Sequence, residues 1–159
     1  MGIQVKQLDA GLDGQHLISS AGKTLWETPS SSYFVIEQSN SFVPGTVVYF
    51  NGSQWAAARS DVPATAEALG IVEWASSSSF RVVYGGRISN LSGLTPGTVY
   101  FLSDTVAGLL TSTPPSVNGR VSKPMMVATS ATSGYVVNYR GLTIQDSSAY
   151  IGATGPTGP

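Results

Sequence analysis

The chain of 159 residues contains no cysteine. Disulfides, thiolate chemistry and cysteine-based zinc sites are therefore excluded. Charge is also scarce, at 11% of residues, against about a quarter in ordinary globular proteins. Eight Lys and Arg against nine Asp and Glu give a formal net charge of −1. That leaves no basic footprint for nucleic acid and no polybasic stretch for an anionic lipid surface. No apolar run approaches the ~18 residues that a membrane-spanning helix needs. Residues 1–10 carry no apolar core of signal-peptide type. Met1-Gly2 opens like a myristoylation site, but the position that needs Ser or Thr holds Lys6.

Glycine (18 residues), proline (9 residues) and many serines fill the space that charge leaves. In residues 1–41 short apolar pieces alternate with Gly/Pro/Asp/Ser turns, and none holds a helical stripe for more than two turns. Tyr33-Phe34-Val35-Ile36 reads as a strand. From Ser41 the chain repeats itself. Pro44-Gly45-Thr46-Val47-Val48-Tyr49-Phe50 returns as Pro96-Gly97-Thr98-Val99-Tyr100-Phe101, and Phe80-Arg81-Val82-Val83-Tyr84 as Tyr135-Val136-Val137-Asn138-Tyr139. Each copy reads as two hairpins. Strands 46–50 and 54–58, then 71–75 and 80–84, form the first copy. Strands 98–102 and 109–111, then 125–129 and 135–139, form the second. Asn51-Gly52 between apolar runs predicts a type I′ hairpin turn, which needs positive φ at both central residues. Ala64, Ala66, Glu67, Ala68 and Leu69 make the link 61–70 the one place for a helical turn.

The expected fold is all-β. It is a small barrel or sandwich built from an internally duplicated unit of roughly 50 residues, with an extended N-terminal segment and a collagen-like tail. The boundaries read from the sequence are an arm or attachment segment 1–41, the duplicated β-domain 42–143, a linker 144–151 and the start of a triple helix 152–159. In that tail Gly152, Gly155 and Gly158 keep a period of three, and Pro156 and Pro159 each follow a glycine. Three polyproline II chains leave room only for glycine at their common axis, so these glycines are the expected trimerisation residues.

Chemistry is thinly represented. Gly22-Lys23-Thr24 ends like a phosphate-binding loop, but Leu17 stands where its first glycine belongs. His16 is the only histidine, and no Gly-x-Ser-x-Gly elbow accompanies it. Asp9 and Asp13 lack the spacing of a calcium loop. Glu27, Glu37, Glu67 and Glu73 are scattered over different elements, with no spacing that favours a glycosidase pair. No catalytic residue, cofactor or metal is expected, and the chain is not read as an enzyme. Asn51-Gly52-Ser53 and Asn90-Leu91-Ser92 match the glycosylation triplet, and a turn role suits Asn51 better. Trp55 follows the Asn-Gly turn and Trp74 precedes Ser76-Ser77-Ser78-Ser79. Aromatic faces stack on sugar rings, which makes Trp55 and Trp74 the candidate ligand-binding residues. The alternative is that they, with Tyr84 and Tyr139, belong to the core or to contacts between protomers.

Asp61 to Val72, Leu91 to Ser103, and Val121-Ser122-Lys123-Pro124 with Tyr139-Arg140-Gly141 resemble a module of bacteriophage tail-fibre proteins, which often join such modules to Gly-Pro-Thr repeats. The resemblance covers residues 42–142 and, separately, the collagen-like start. It does not reach residues 1–41. It implies a homotrimeric virion fibre, assembled in the host cytoplasm and exposed on the particle. The implied partners are other tail or baseplate proteins and a host-surface glycan, with neither nucleic acid nor membrane insertion. A carbohydrate-reading module and a bacterial surface or spore filament are the alternatives; a polysaccharide depolymerase is the weakest.

Overall fold

Val47-Val48, Ile71-Val72 and Val82-Val83 are consecutive apolar pairs. In a strand, neighbouring side chains point to opposite faces, so a sheet made of these segments must be covered on both sides. The computed structural model describes the backbone of residues 16–20 and 23–27, and residues 31–145. Contacts divide the chain after Ser30. In the N-terminal unit, β1 (His16–Ser20) and β2 (Lys23–Glu27) form an antiparallel hairpin whose register runs from His16↔Glu27 to Ser20↔Lys23.

The second unit is all-β apart from one 3-10 turn, Pro63–Thr65. That turn falls inside the link where a helical turn is expected. Its strands are β3 (Ser31–Glu37), β4 (Val47–Phe50), β5 (Trp55–Ala57), β6 (Gly70–Ala75), β7 (Ser79–Ile88), β8 (Val99–Leu102), β9 (Leu110–Thr111), β10 (Val121–Ser122), β11 (Pro124–Ala128), β12 (Gly134–Val136) and β13 (Leu142–Thr143). Nine of them make one antiparallel sheet in the order β5-β4-β6-β7-β12-β11-β8-β9, with β3 added on β7; β10 and β13 form a separate pair. β7 is the long member. It holds β3 from Ser31↔Gly86 to Glu37↔Ser79, β6 from Ile71↔Val83 to Ala75↔Phe80, and β12 from Val136↔Gly86 to Gly134↔Ile88.

The sheet curls into a half-barrel. Residues beyond β5 meet the β8 end of the sheet: Gly108 N donates to Ala58 O (2.6 Å), Ser60 N to Ser103 O (2.9 Å) and Val121 N to Ser60 O (2.8 Å). Ser60 is fully buried, and its hydroxyl donates to Leu102 O at 2.9 Å. Its main-chain and side-chain polar groups are thus all engaged, as burial requires. One core takes residues from β4, β6, β7, β8, β11 and β12, among them Val47, Ile71, Val83, Ile88, Leu102, Met125, Met126 and Val136. A smaller cluster on the opposite face holds Val48, Val72, Phe80 and Val82. The segment between β3 and β4 covers it, with the Phe42 ring edge-on to Phe80 at 4.9 Å.

Two turns recur. In Val43–Thr46 and Thr95–Thr98 a proline is followed by a glycine at φ +93° and +79°, and the closing bonds are Thr46 N to Val43 O (3.1 Å) and Thr98 N to Thr95 O (3.2 Å). These are type II turns, whose third residue needs the positive φ that glycine supplies. The β6–β7 and β11–β12 connections also match. Ser76 and Ser79 hydroxyls lie 3.0 Å apart, those of Ser130 and Ser133 2.8 Å, and the backbone bonds Ser76 N to Ser79 O (2.8 Å) and Ser130 N to Ser133 O (3.1 Å) close both.

Four expectations change. The connection after β4 is not a type I′ turn: Asn51–Gln54 form a four-residue loop with positive φ at Gly52 but not at Asn51. The Asn51 carboxamide oxygen accepts from Ser53 N, Ser53 Oγ and Gln54 N, each at 3.0 Å, and so does locally what a second positive φ would have done. β3, which lies in the expected arm 1–41, pairs with β7 of the main sheet, and contacts divide the chain after residue 30. β7 runs four residues past Tyr84, whereas β12 ends at Val136. β10 and β13 are two-residue strands with too little pattern to read. Residues 146–159, with the expected linker beyond Gln145 and the glycines Gly152, Gly155 and Gly158, lie outside the described residues.

Gly70 lies against the backbone of β7. A Cβ there would overlap the Val83 carbonyl oxygen and approach Val82 Cγ1 to 2.8 Å and Val83 C to 2.9 Å. Gly70→Ala is expected to destabilise the domain by about 1–3 kcal/mol, read as a lower denaturant midpoint; an unchanged midpoint would contradict this close approach.

Candidate functional site

β7 carries two charged residues, Arg81 and Arg87, and the first of them stands between the buried Phe80 and Val82. In β7 its side chain points to the face opposite Phe80 and Val82, where Val35 of β3 and Trp74 of β6 are its cross-strand partners. The guanidinium carbon stands 4.4 Å from the centre of the Tyr33 ring and 6.0 Å from that of Trp74. Nη1 donates to Glu73 Oε2 at 3.3 Å, and Nε is buried without an acceptor among the described residues. Ring quadrupoles and one carboxylate therefore hold this cation; a cation–π contact contributes about 0.5–2 kcal/mol depending on desolvation.

A bulge makes the cluster possible. The β6–β7 register shifts between Val72 and Trp74, leaving Glu73 as the extra residue, and a bulge re-aims side chains. Glu73 Oε1 accepts from Ser89 N (3.0 Å) and Ser89 Oγ (2.9 Å). Asn90, held at φ +63°, donates its Nδ2 to Glu73 O at 3.0 Å. Glu73, Trp74, Arg81 and Tyr33 form an aromatic and ionic patch beside the serine loop. Sequence reasoning found Trp74 and missed its three neighbours. The available signal was a charge within an apolar strand.

Trp55 is elsewhere. It pairs with Phe50, two residues along from Val48, and leans on the smaller cluster that includes Val48, Val72 and Phe80. Its backbone is held at both ends by Gln38, whose Nε2 donates to Trp55 O (2.9 Å) and whose Oε1 accepts from Trp55 N (2.8 Å). Val72 and Val82 share the face of Trp55, while Trp74 pairs with Arg81 on the other. The two candidate tryptophans therefore stand on opposite faces and do not form one platform.

A groove of about 340 Å³ runs between the Pro44-Gly45 turn, Leu91–Leu94 and Val106–Leu110, with Tyr100 at its base. The Tyr100 hydroxyl accepts from Thr95 N at 3.0 Å. Lys123 is only 3% exposed, and its Nζ donates to Tyr139 O at 3.0 Å. Burial pushes its pKa below the ordinary lysine value; Glu67 acts against that shift and Arg140 adds to it.

The remaining candidate residues are dispersed. Glu67 faces Arg140 at 3.8 Å in an exposed pair, and Glu37 closes β3. His16 lies in β1, Lys23 and Glu27 in β2, and Asp9 and Asp13 outside the described residues. Among the described residues no group of three or more His, Asp or Glu stands where it could hold a metal ion, and no helix is long and apolar enough to cross a membrane. No family model, curated protein or solved structure matches this chain.

The lowered Lys123 pKa has a defined sign in stability. Between that value and the unfolded lysine's, about 10.4, the unfolded chain binds more protons than the folded one, so stability rises with pH. Lys123→Met should abolish this alkaline rise. Denaturant midpoints of both proteins across the alkaline range check it, and identical slopes would contradict it.

Proposed function

We propose that this chain is a structural module of a homotrimeric bacteriophage tail fibre, serving virion architecture and host attachment. The observation that carries it is the glycine register 152-155-158, with proline at 156 and 159, placed directly after a charge-poor β-domain. A register of this kind has a use only when three chains share an axis. The tail-fibre resemblance of residues 42–142 supports the same assignment.

The β-domain itself is read as an internal duplication. In its favour, the sheet order β5-β4-β6-β7-β12-β11-β8-β9 is the same from either end when β4 to β7 are matched with β8, β9, β11 and β12. The paired type II turns and paired serine-hydroxyl turns fall at matched places. So do the bonds Gly45 N to Val72 O and Gly97 N to Ala128 O, both 2.8 Å. A duplicated sheet makes a compact shoulder for a stem.

Sedimentation equilibrium of the chain with its Gly-X-Y tail lengthened should give three copies, and Gly155→Ala should loosen the tail to proteolysis while the β-domain stays folded. A monomer at every concentration even with the longer tail would overturn the fibre assignment.

A second function, glycan recognition, is favoured by the Trp74, Arg81 and Tyr33 patch, which combines aromatic faces with a charged hydrogen-bonding group. On a glycan array the wild-type chain would then bind host polysaccharide, and Trp74→Ala would lose that binding without unfolding. Absence of wild-type binding would remove this function; it would leave the fibre role intact.

A further inference from the structure

β3 is an edge strand of the main sheet. Its inner edge follows β7 for seven residues, and among the described residues no strand pairs with its outer edge. Tyr33, Phe34 and Val35 are 47%, 47% and 52% exposed. Phe34 is stacked on Tyr84 with ring centres 4.7 Å apart, which extends the apolar surface across both strands. Ser31 to Ile36 includes no charged residue and no proline. Natural edge strands are commonly blunted by exactly those residues, because a free row of N–H and C=O groups otherwise templates another chain.

We propose that the outer edge of β3, with Tyr33, Phe34 and Val35, is the contact through which a second copy of this chain docks in the trimer. The inference rests on the fibre assignment and names its surface. A second copy is favoured because of chain length. Ile144 is still bonded to the domain, its N donating to Arg120 O at 2.8 Å, and Gly152, the first of the glycine register, comes eight residues later. Eight residues reach at most about 29 Å when fully extended. A domain of this size has a radius of gyration of about 13 Å. Three such domains tethered that closely to one axis are neighbours. Contacts between identical chains also bring identical charges near one another, and a strand whose one charge, Glu37, sits at its very end limits that repulsion. Backbone pairing supplies affinity when an edge is extended in this way, and side chains such as Tyr33 and Phe34 supply register.

The test uses the full chain. Hydrogen exchange over residues 31–37 is measured at concentrations where the chain is assembled and where it is dilute. Assembly is compared with that of Val35→Glu, whose new carboxylate faces Arg81 of its own chain and so leaves the fold tolerable. The expected result is slow exchange at alternate β3 amides only in the assembled chain, with association weakened roughly tenfold or more in the variant. A trimer whose β3 exchange does not depend on concentration overturns the contact and leaves the fibre assignment standing; the chain's own residues would then cover the edge. A trimer that Val35→Glu leaves equally strong does the same. A chain that stays monomeric at all concentrations even with its Gly-X-Y tail lengthened overturns both.

Discussion

The hydrogen-bond ladders on both edges of β7 are what the rest of the sheet depends on. One edge is taken by β3 and the other is divided between β6 and β12. Without this ten-residue strand the two sets of hairpins would share no continuous sheet. The division is possible because β7 is longer than either neighbour and changes partner near Tyr84 to Gly86. Backbone groups buried in a sheet must be paired, so the length of β7 sets the span of the domain. Phe80 and Val82 then seal one face, and Val83 and Ile88 build the other.

A chain so poor in charge handles its buried and half-buried cations individually. Arg81 is held by an aromatic ring and by a carboxylate that a bulge turns toward it. Lys123 gives its ammonium to a single backbone carbonyl, and burial disfavours its charged form. Such groups cost stability wherever their hydrogen bonding is incomplete. Hydroxyl and amide side chains do most of the remaining polar work, and they do it locally: Asn51, Ser76 and Ser130 each organise a turn by binding nearby backbone or hydroxyl groups. A surface of this kind presents few charges to a partner, which suits contacts between identical copies better than electrostatic recognition of an unlike one.

The proposed fibre role joins two features that neither explains alone. A glycine register needs three chains, and an open apolar edge needs a cover. The proximity that the proposed register would enforce makes the second a natural contact, since association within a tethered assembly starts from a high effective concentration. The Trp74 patch lies on β6 and β7, beside the serine loop at the tip of their hairpin. A hairpin tip is a position from which a fibre can meet an external surface.

Much of the β-architecture was legible locally. Alternating apolar and β-branched runs between Gly, Pro and Asn turns located the main strands within a few residues, because strand propensity and turn chemistry are near-neighbour effects. The repeated Pro-Gly-Thr-Val segments marked two matching turns for the same reason. The single cation in Phe80-Arg81-Val82 flagged an unusual site without revealing its partners. What the tertiary structure alone decided is which residues meet. Tyr33 and Glu73 reach Arg81 through cross-strand register and a bulge. Trp55 and Trp74 part to opposite faces because side-chain direction alternates at each residue, and pairing sets the phase. The two-residue strands β10 and β13 exist only because distant backbone groups find each other. Turn chemistry belongs to the sequence because its bonds span three or four residues; register and burial span the whole chain and are settled when it closes on itself.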